Sequence, residues 1–334
     1  MATNRTSNSS VNLTIEQILN GTTMGCTQSV GHMEVIPLTP SSADDVDDHF
    51  GPPNINAGTS NYGSVHAQNL DNERPTILPL GSSWISSQSA QDHAVGSAEF
   101  VKSGETKKID SAMCVQKSQC GLLKSTNELV ILPAPLRVQA LAKRKQSGFD
   151  RLWGEINKFT TDLGIHSHDS QVALFINHFK KELDEFVAEF ELMQDQVGAI
   201  ILVGGQVVGI ERAPNPDYWA TIWNPLIRVC YGALAVKARQ VLGDVPLHRE
   251  TLDVKDKSLA GIKAALQSAT VSTQNRIDEA VTKVKQNKML ASDKDRTFKS
   301  YDLLTVANSQ MAGQMVKNKN GKVPYISISA AAIR

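Results

Sequence analysis

The sequence predicts an α+β fold: an N-terminal antiparallel β layer packed with helices, a central β-hairpin near 197–211 and a C-terminal β-hairpin near 313–329. Three observations predict it. Short β-type runs separated by turn residues fill the first 130 positions, at spacings typical of an antiparallel layer. Apolar residues then recur at helical spacing. Finally, Val197–Val203 and Gln206–Glu211 flank Gly204-Gly205, a pair able to take the positive φ of a tight hairpin turn. Strands come first, then helices, hairpin, helices and hairpin, an order that argues against alternating βαβ units.

Taken in order, residues 1–29 read as a polar N-terminal arm, looser over the first fifteen, and 30–334 as one α+β domain. Leu13–Asn20 can form a short helix capped by Thr14. Met33–Leu38 is a strand that Pro37 assigns to an edge or an end, since proline donates nothing to a ladder. Residues 39–63 read as loop. Val65–Leu70, Thr76–Leu80, Ser97–Lys102, Lys108–Cys114 and Glu128–Leu132 are strand candidates. Helical spacing runs from Leu136 to Leu163, and Val172, Phe175, Phe179, Leu183, Phe186 and Phe190 form an amphipathic stripe. Asn215-Pro216-Asp217 starts a helix, with Asn as N-cap and Pro at the first position. Pro225 should kink or split it. Ile262 to Val284 marks a further helix, and Lys319-Asn320-Gly321-Lys322 joins the terminal hairpin strands.

Composition sets limits. Thirty-four basic residues balance 34 acidic ones at a pI near 7.1, which argues against broad nucleic-acid binding. No stretch approaches the ~20 apolar residues of a membrane span, and no secretory h-region opens the chain, so a cytoplasmic protein is expected. Cys26, Cys114, Cys120 and Cys230 are few and irregularly spaced, as reduced thiols would be.

Each candidate site has a plain alternative. Cys114 is a nucleophile or a small buried core residue; Cys114 and Cys120 lack zinc-site spacing, and no metal or cofactor is expected. His166, His168 and Asp169 make a partial metal site, or Ser167 or Asp169 caps the following helix. Asp44, Asp45, Asp47, Asp48 and His49 make a cation site or a solvated acidic loop; lacking the alternating ligands and Gly of an EF-hand, they read as the loop. Gly204-Gly205 is a hairpin turn, not a phosphate loop. Trp219 and Trp223, four apart on one helical face, pack as core or stack a base. Arg228 meets a phosphate or forms a surface ion pair.

Several stretches, taken in order, carry a family likeness: MEVIPL, LDNERPTILPLGSSW, SGETKKIDSAMCVQK, FDRLWGEI, QVGAIILVGGQVVGIERAPNPDYWATIWNPLIRVCYGAL and AGQMVKNKNGKVPYISISA. In these the chain resembles the ARPP domain family, named for its association with ADP-ribosylglycohydrolases and a rhodanese–phosphatase protein, over about residues 30–330, as a divergent member of phage type. Where the family carries Gly-Ala-Lys-Gln-Asn-Arg, this chain reads Gln88-Ser89-Ala90-Gln91-Asp92-His93, keeping the Gln but replacing Lys by Ala90 and Arg by His93. Where the family carries Cys-Val-Glu and then Gly-Arg-Trp, this chain has Cys114-Val115-Gln116 and Ser118-Gln119-Cys120.

The resemblance implies an NAD- or ADP-ribose-derived ligand. Gln91, Asp92, His93 and Gln116 are then pocket-lining candidates, His93 standing in for Arg as a pH-dependent phosphate contact; the alternative is a polar loop without ligand. Trp153 and Glu155 fall where the family carries its Trp and acidic pair; Trp153 is expected in the core and Glu155 is the better polar candidate. A glutamine cannot serve as general base, and losing Lys and Arg removes groups suited to phosphate. The expected protein therefore binds such a nucleotide with little or no catalysis. The alternatives are a phage structural or interaction protein acting in host cytoplasm or virion through protein partners or self-association, and a viral sponge for a host nucleotide signal.

Overall fold

In the computed structural model, residues 12–85, 90–117, 121–126, 128–167, 169–244 and 256–333 are described. The first strands and helix are β1 (Asn12–Thr14), α1 (Ile15–Ile18), β2 (Thr22–Met24), β3 (Gln28–Val30), β4 (Met33–Pro40), β5 (Ile55–Asn61), β6 (Ser64–Asn69) and β7 (Thr76–Leu78). Next come β8 (Ser82–Trp84), β9 (His93–Val95), β10 (Glu99–Val101), β11 (Thr106–Ile109), β12 (Ala112–Cys114) and β13 (Val130–Ile131). The helices α2 (Ala134–Lys143), α3 (Trp153–Asp162), α4 (Val172–His178) and α5 (Lys180–Glu189) precede the hairpin of β14 (Gly198–Val203) and β15 (Gln206–Arg212). The rest is α6 (Pro216–Pro225), a π-helical stretch Leu226–Tyr231, α7 (Gly232–Leu242), α8 (Leu259–Lys285), β16 (Lys288–Phe298), β17 (Tyr301–Ala307), β18 (Met311–Asn318) and β19 (Tyr325–Ala330). The fold is α+β, and no described helix is long and apolar enough to cross a membrane.

The largest sheet draws on both ends of the chain. Its order is β1-β16-β17-β18-β19-β15-β14-β4-β2, with β3 also paired to β4, and every pairing is antiparallel. The central hairpin forms as expected: Gly204 and Gly205 have φ of 58° and 76°, the left-handed pair a two-residue turn needs. The terminal hairpin also forms, between β18 and β19. The short strands expected to make one N-terminal layer make three small antiparallel sheets instead: β11-β6-β5, β10-β7 and β12-β9-β8-β13.

A row of polar residues crosses the large sheet. Glu211, Ser327, Gln314 and Thr305 are successive cross-strand neighbours on β15, β19, β18 and β17. Helix α2 lies against this row. Arg137 donates to Glu211 Oε1 at 2.6 Å, to the Tyr231 hydroxyl at 2.9 Å and to Ser327 Oγ at 3.0 Å. Arg144, two turns further along, reaches Asp293 and Asp295 of β16 at 3.0 and 2.9 Å. The Arg137 and Glu211 side chains are 1% and 2% exposed, so the pair is held wholly inside the protein. The Tyr231 hydroxyl also donates to Glu211 at 2.5 Å, which leaves the carboxylate well supplied with donors. Gly209 of β15 makes this approach feasible: a Cβ there would lie 2.3 Å from the Tyr231 ring.

Pro225 splits its helix as the sequence predicts, and the break is a π-helical stretch that carries Cys230 and Tyr231 inward. Asn215 caps α6, accepting from the Tyr218 amide at 2.9 Å, and Thr14 caps α1 in a reciprocal capping box with Gln17. The stretch read as a polar arm to residue 29 carries β1, α1, β2 and most of β3 from Asn12 onward, and Ile15 and Ile18 are core residues.

Some expectations need correction. β4 is not an edge strand: it pairs β14 on one side and β2 and β3 on the other. Pro37 is tolerated because it falls in the gap between β2 and β3, where its carbonyl takes the Gly25 amide at 2.8 Å. β5 lies within the stretch read as loop. The run Lys108–Cys114 breaks at Asp110-Ser111 into β11 and β12, which join different sheets. The stripe from Val172 to Phe190 is two helices, broken at Phe179. Neither Ser167 nor Asp169 caps α4: its N-cap is Gln171, and Ser167 Oγ accepts the Asp169 amide instead.

Candidate functional site

Four of the predicted site residues meet around the β9–β12 ladder. Register pairs His93 with Cys114 across it, and the Val115 amide donates to the Asp92 carbonyl at 3.0 Å. Gln91 Nε2 donates to the Gln116 carbonyl at 2.9 Å, and the Asp92 amide reaches Gln116 Oε1 at 3.4 Å. All four are buried: Gln91 3%, Asp92 0%, His93 0% and Gln116 5% exposed.

The hydrogen bonds fix the state of His93. Nδ1 lies 2.8 Å from the Gln91 carbonyl, an acceptor, so Nδ1 carries the proton. Nε2 is then the acceptor; it takes the Gly63 amide at 3.2 Å and faces Cys114 Sγ at 3.4 Å. Burial lowers the His93 pKa, against the opposing pull of the Gln91 carbonyl. Burial also pushes the Cys114 thiol up to about 12. The pair is a neutral imidazole and a protonated thiol, the opposite of an activated nucleophile.

A surface layer lies over this buried one. The Cys114 amide donates to the Phe149 carbonyl at 2.7 Å, and Arg151 donates to the carbonyls of Gly148 and, at 2.6 Å, Ser111. Tyr62, Phe149 and Trp153 form a row, with ring centroids 5.6 Å apart for the first pair and 5.8 Å for the second. Tyr62 and Phe149 are exposed at 43% and 37%. Trp153, expected in the core, is half-buried and lines a cleft of about 300 Å³ with Lys117, Gly154, Asn157 and Ser170. Backbone bonds join its walls: the Lys117 amide to the Asp169 carbonyl at 3.0 Å and the Val172 amide to the Val115 carbonyl at 3.2 Å. Ser170 is held at φ 45°, an uncommon conformation for a residue other than glycine. Nothing in sequence spacing joins Tyr62 to Phe149 or Lys117 to Trp153; only the fold does.

The other predicted residues fall outside this hydrogen-bonded cluster. Trp219 and Trp223 pack on each other at 5.7 Å and are 0% and 3% exposed, in the core. Arg228 donates to Asp184 at 2.7 Å. Glu155 accepts from Lys143 at 2.8 Å and lines a second cleft, of about 260 Å³, with Leu136, Phe159 and Lys237. Asp45 and Asp47 are built into the fold, accepting from Ser42 Oγ and the Tyr301 hydroxyl at 2.7 and 2.9 Å. Among the described residues no three His, Cys, Asp or Glu side chains gather as metal ligands. Gln88, Ser89, His168, Ser118, Gln119 and Cys120 lie outside the described residues.

No curated protein and no solved structure matches the chain. A family profile does, that of the ARG and Rhodanese-Phosphatase-superfamily-associated Protein domain, ARPP-1, over residues 21–301. That span starts before the expected residue 30 and stops at the beginning of β17, so β18 and β19 lie beyond it. It includes the β9–β12 ladder, the aromatic row and the cleft beside them, and it covers well over half of the sequence. The chain belongs to the ARPP-1 domain family.

Proposed function

We propose that the protein binds an NAD- or ADP-ribose-derived nucleotide in the cleft beside Gln116 and turns it over weakly or not at all. The observation that carries this reading is the contrast between the two layers. Beneath, His93 has both ring nitrogens engaged, Cys114 is a protonated thiol, and Gln116 is an amide where the family pattern has a glutamate. Above, the cleft offers recognition chemistry. Lys117 is an exposed cation suited to a phosphate, Asn157 and Ser170 suit ribose hydroxyls, and the Trp153 indole supplies an aromatic wall. The family's association with ADP-ribosylglycohydrolases points to the same ligand class.

Isothermal titration with ADP-ribose and NAD tests the reading. Binding that weakens at least tenfold in Lys117→Ala, with intact ligand recovered after denaturing the complex, is expected. Absence of heat with either ligand would overturn it. Rapid conversion of the nucleotide would overturn the non-catalytic half.

A further inference from the structure

We infer that the exposed faces of Tyr62 and Phe149 form a shelf on which the base of the bound nucleotide stacks, and that the buried His93–Cys114 pair positions this shelf. The inference rests on the nucleotide-binding reading and deepens it by assigning the base end of the ligand.

Three features carry it. First, the two rings come from separate segments, the β5–β6 turn and the 144–152 connection, yet lie 5.6 Å apart with more than a third of each exposed. Apolar rings that serve packing alone are better placed inside. Second, the row leads from Tyr62 through Phe149 to Trp153, whose other neighbours line the cleft with Lys117. Aromatic faces beside a cation match a ligand with a π-face at one end and phosphate at the other.

Third, the shelf is held from beneath by the backbone on both sides. His93 Nε2 accepts the amide of Gly63, the residue after Tyr62, while the Cys114 amide holds the Phe149 carbonyl. A Cβ at Gly63 would sit 3.0 Å from Phe149 Cβ, and its φ of 80° suits glycine, so the two segments meet closely at a residue without a side chain. The residues that the family pattern marks at 93 and 114 thus act as positioning residues, through the neighbours that present the rings.

The test compares ADP-ribose with ribose 5-phosphate, which lacks the base, by calorimetry on the full chain. Wild type should prefer ADP-ribose, and Phe149→Ala and Tyr62→Ala should lose roughly tenfold or more of that affinity while leaving ribose 5-phosphate binding unchanged. Phe149→Tyr should restore it. His93→Ala should lower ADP-ribose affinity selectively, and His93→Asn, which keeps an acceptor for Gly63, should recover part of it. Circular dichroism and melting curves confirm that each variant is folded. If wild type binds ADP-ribose and the two alanine variants bind it equally well, the shelf is refuted and the binding site stands. If wild type binds neither ligand, the nucleotide reading itself fails.

Discussion

Glu211→Gln is the sharpest probe of what holds this fold together. The substitution conserves volume and leaves an acceptor for Tyr231, but it strands the Arg137 guanidinium without a counter-charge at a site where both side chains are almost fully buried. Removing one partner of such a pair costs roughly 3–5 kcal/mol, because the remaining charge cannot reach water. At ~2.1 cal/mol/K per residue, a chain of 334 residues unfolds with an entropy near 0.7 kcal/mol/K, so the melting temperature should fall by about 4–7 °C. Arg228→Ala is the control. Its partner Asp184 is 42% exposed, and a surface pair contributes under ~1 kcal/mol, about one degree here. A combined Arg137→Met/Glu211→Gln variant should cost less than the two single changes added together, since no charge is then orphaned. Calorimetry reads wild type and the four variants, the single Arg137→Met included. If Glu211→Gln melts within a degree of wild type, the pair is not the buried, mutually dependent unit described above.

Three further outcomes follow from single features. His93 is held neutral with its pKa below the ordinary 6.5, so on acidification the unfolded chain takes up a proton that the folded one refuses. The stability this group contributes is complete above about pH 6.5 and is lost as pH falls toward its lowered folded value; His93→Asn should flatten that part of the melting-temperature profile between pH 7 and 5. Gly204→Ala and Gly205→Ala each place a Cβ at positive φ and should cost about 1–2 kcal/mol in urea unfolding, with Gly204→Asn milder. Native thiol labelling at pH 8, mapped by mass spectrometry, should modify exposed Cys26 quickly while Cys114 and Cys230, buried and with pKa near 12, react only on unfolding; fast labelling of Cys114 would contradict the neutral pair.

How much of the fold could be read in the sequence depended on whether the information was local. The central hairpin and the capped helix after it were legible because β-branched runs, two glycines and an Asn-Pro pair each act within a few residues. The strand β16 went unread for the opposite reason. β16 reads KMLASDKDRTF, and its less exposed positions include Asp293 and Asp295. An alternation of that kind has no apolar face to reveal it. It becomes intelligible only when Arg144, on a helix far back in the chain, is found paired with both carboxylates. Pro37 misled in the same way: the rule against proline in central strands holds only where the neighbouring strand is continuous, and here that neighbour is two pieces.

The site divides along the same line. Gln91, Asp92, His93 and Gln116 were legible as a group because a family pattern marks their positions, and the β9–β12 register brings them together. What pattern alone could not supply was direction. A histidine where the family resemblance implies arginine suggests a weaker phosphate contact, but burial and two committed ring nitrogens leave His93 nothing to offer a ligand. Its interactions run instead toward the backbone of Gly63, and those of Cys114 toward Phe149. The replacement has a physical logic. An arginine carries five donors and no acceptor, so it could not receive the Gly63 amide, whereas a neutral imidazole can. Exchanging arginine for histidine thus exchanges a side chain that can hold an anion for one that can hold a loop. On that reasoning the β9–β12 layer of this chain serves to hold backbone, and the proposed nucleotide would meet the rings and the lysine on the surface above it.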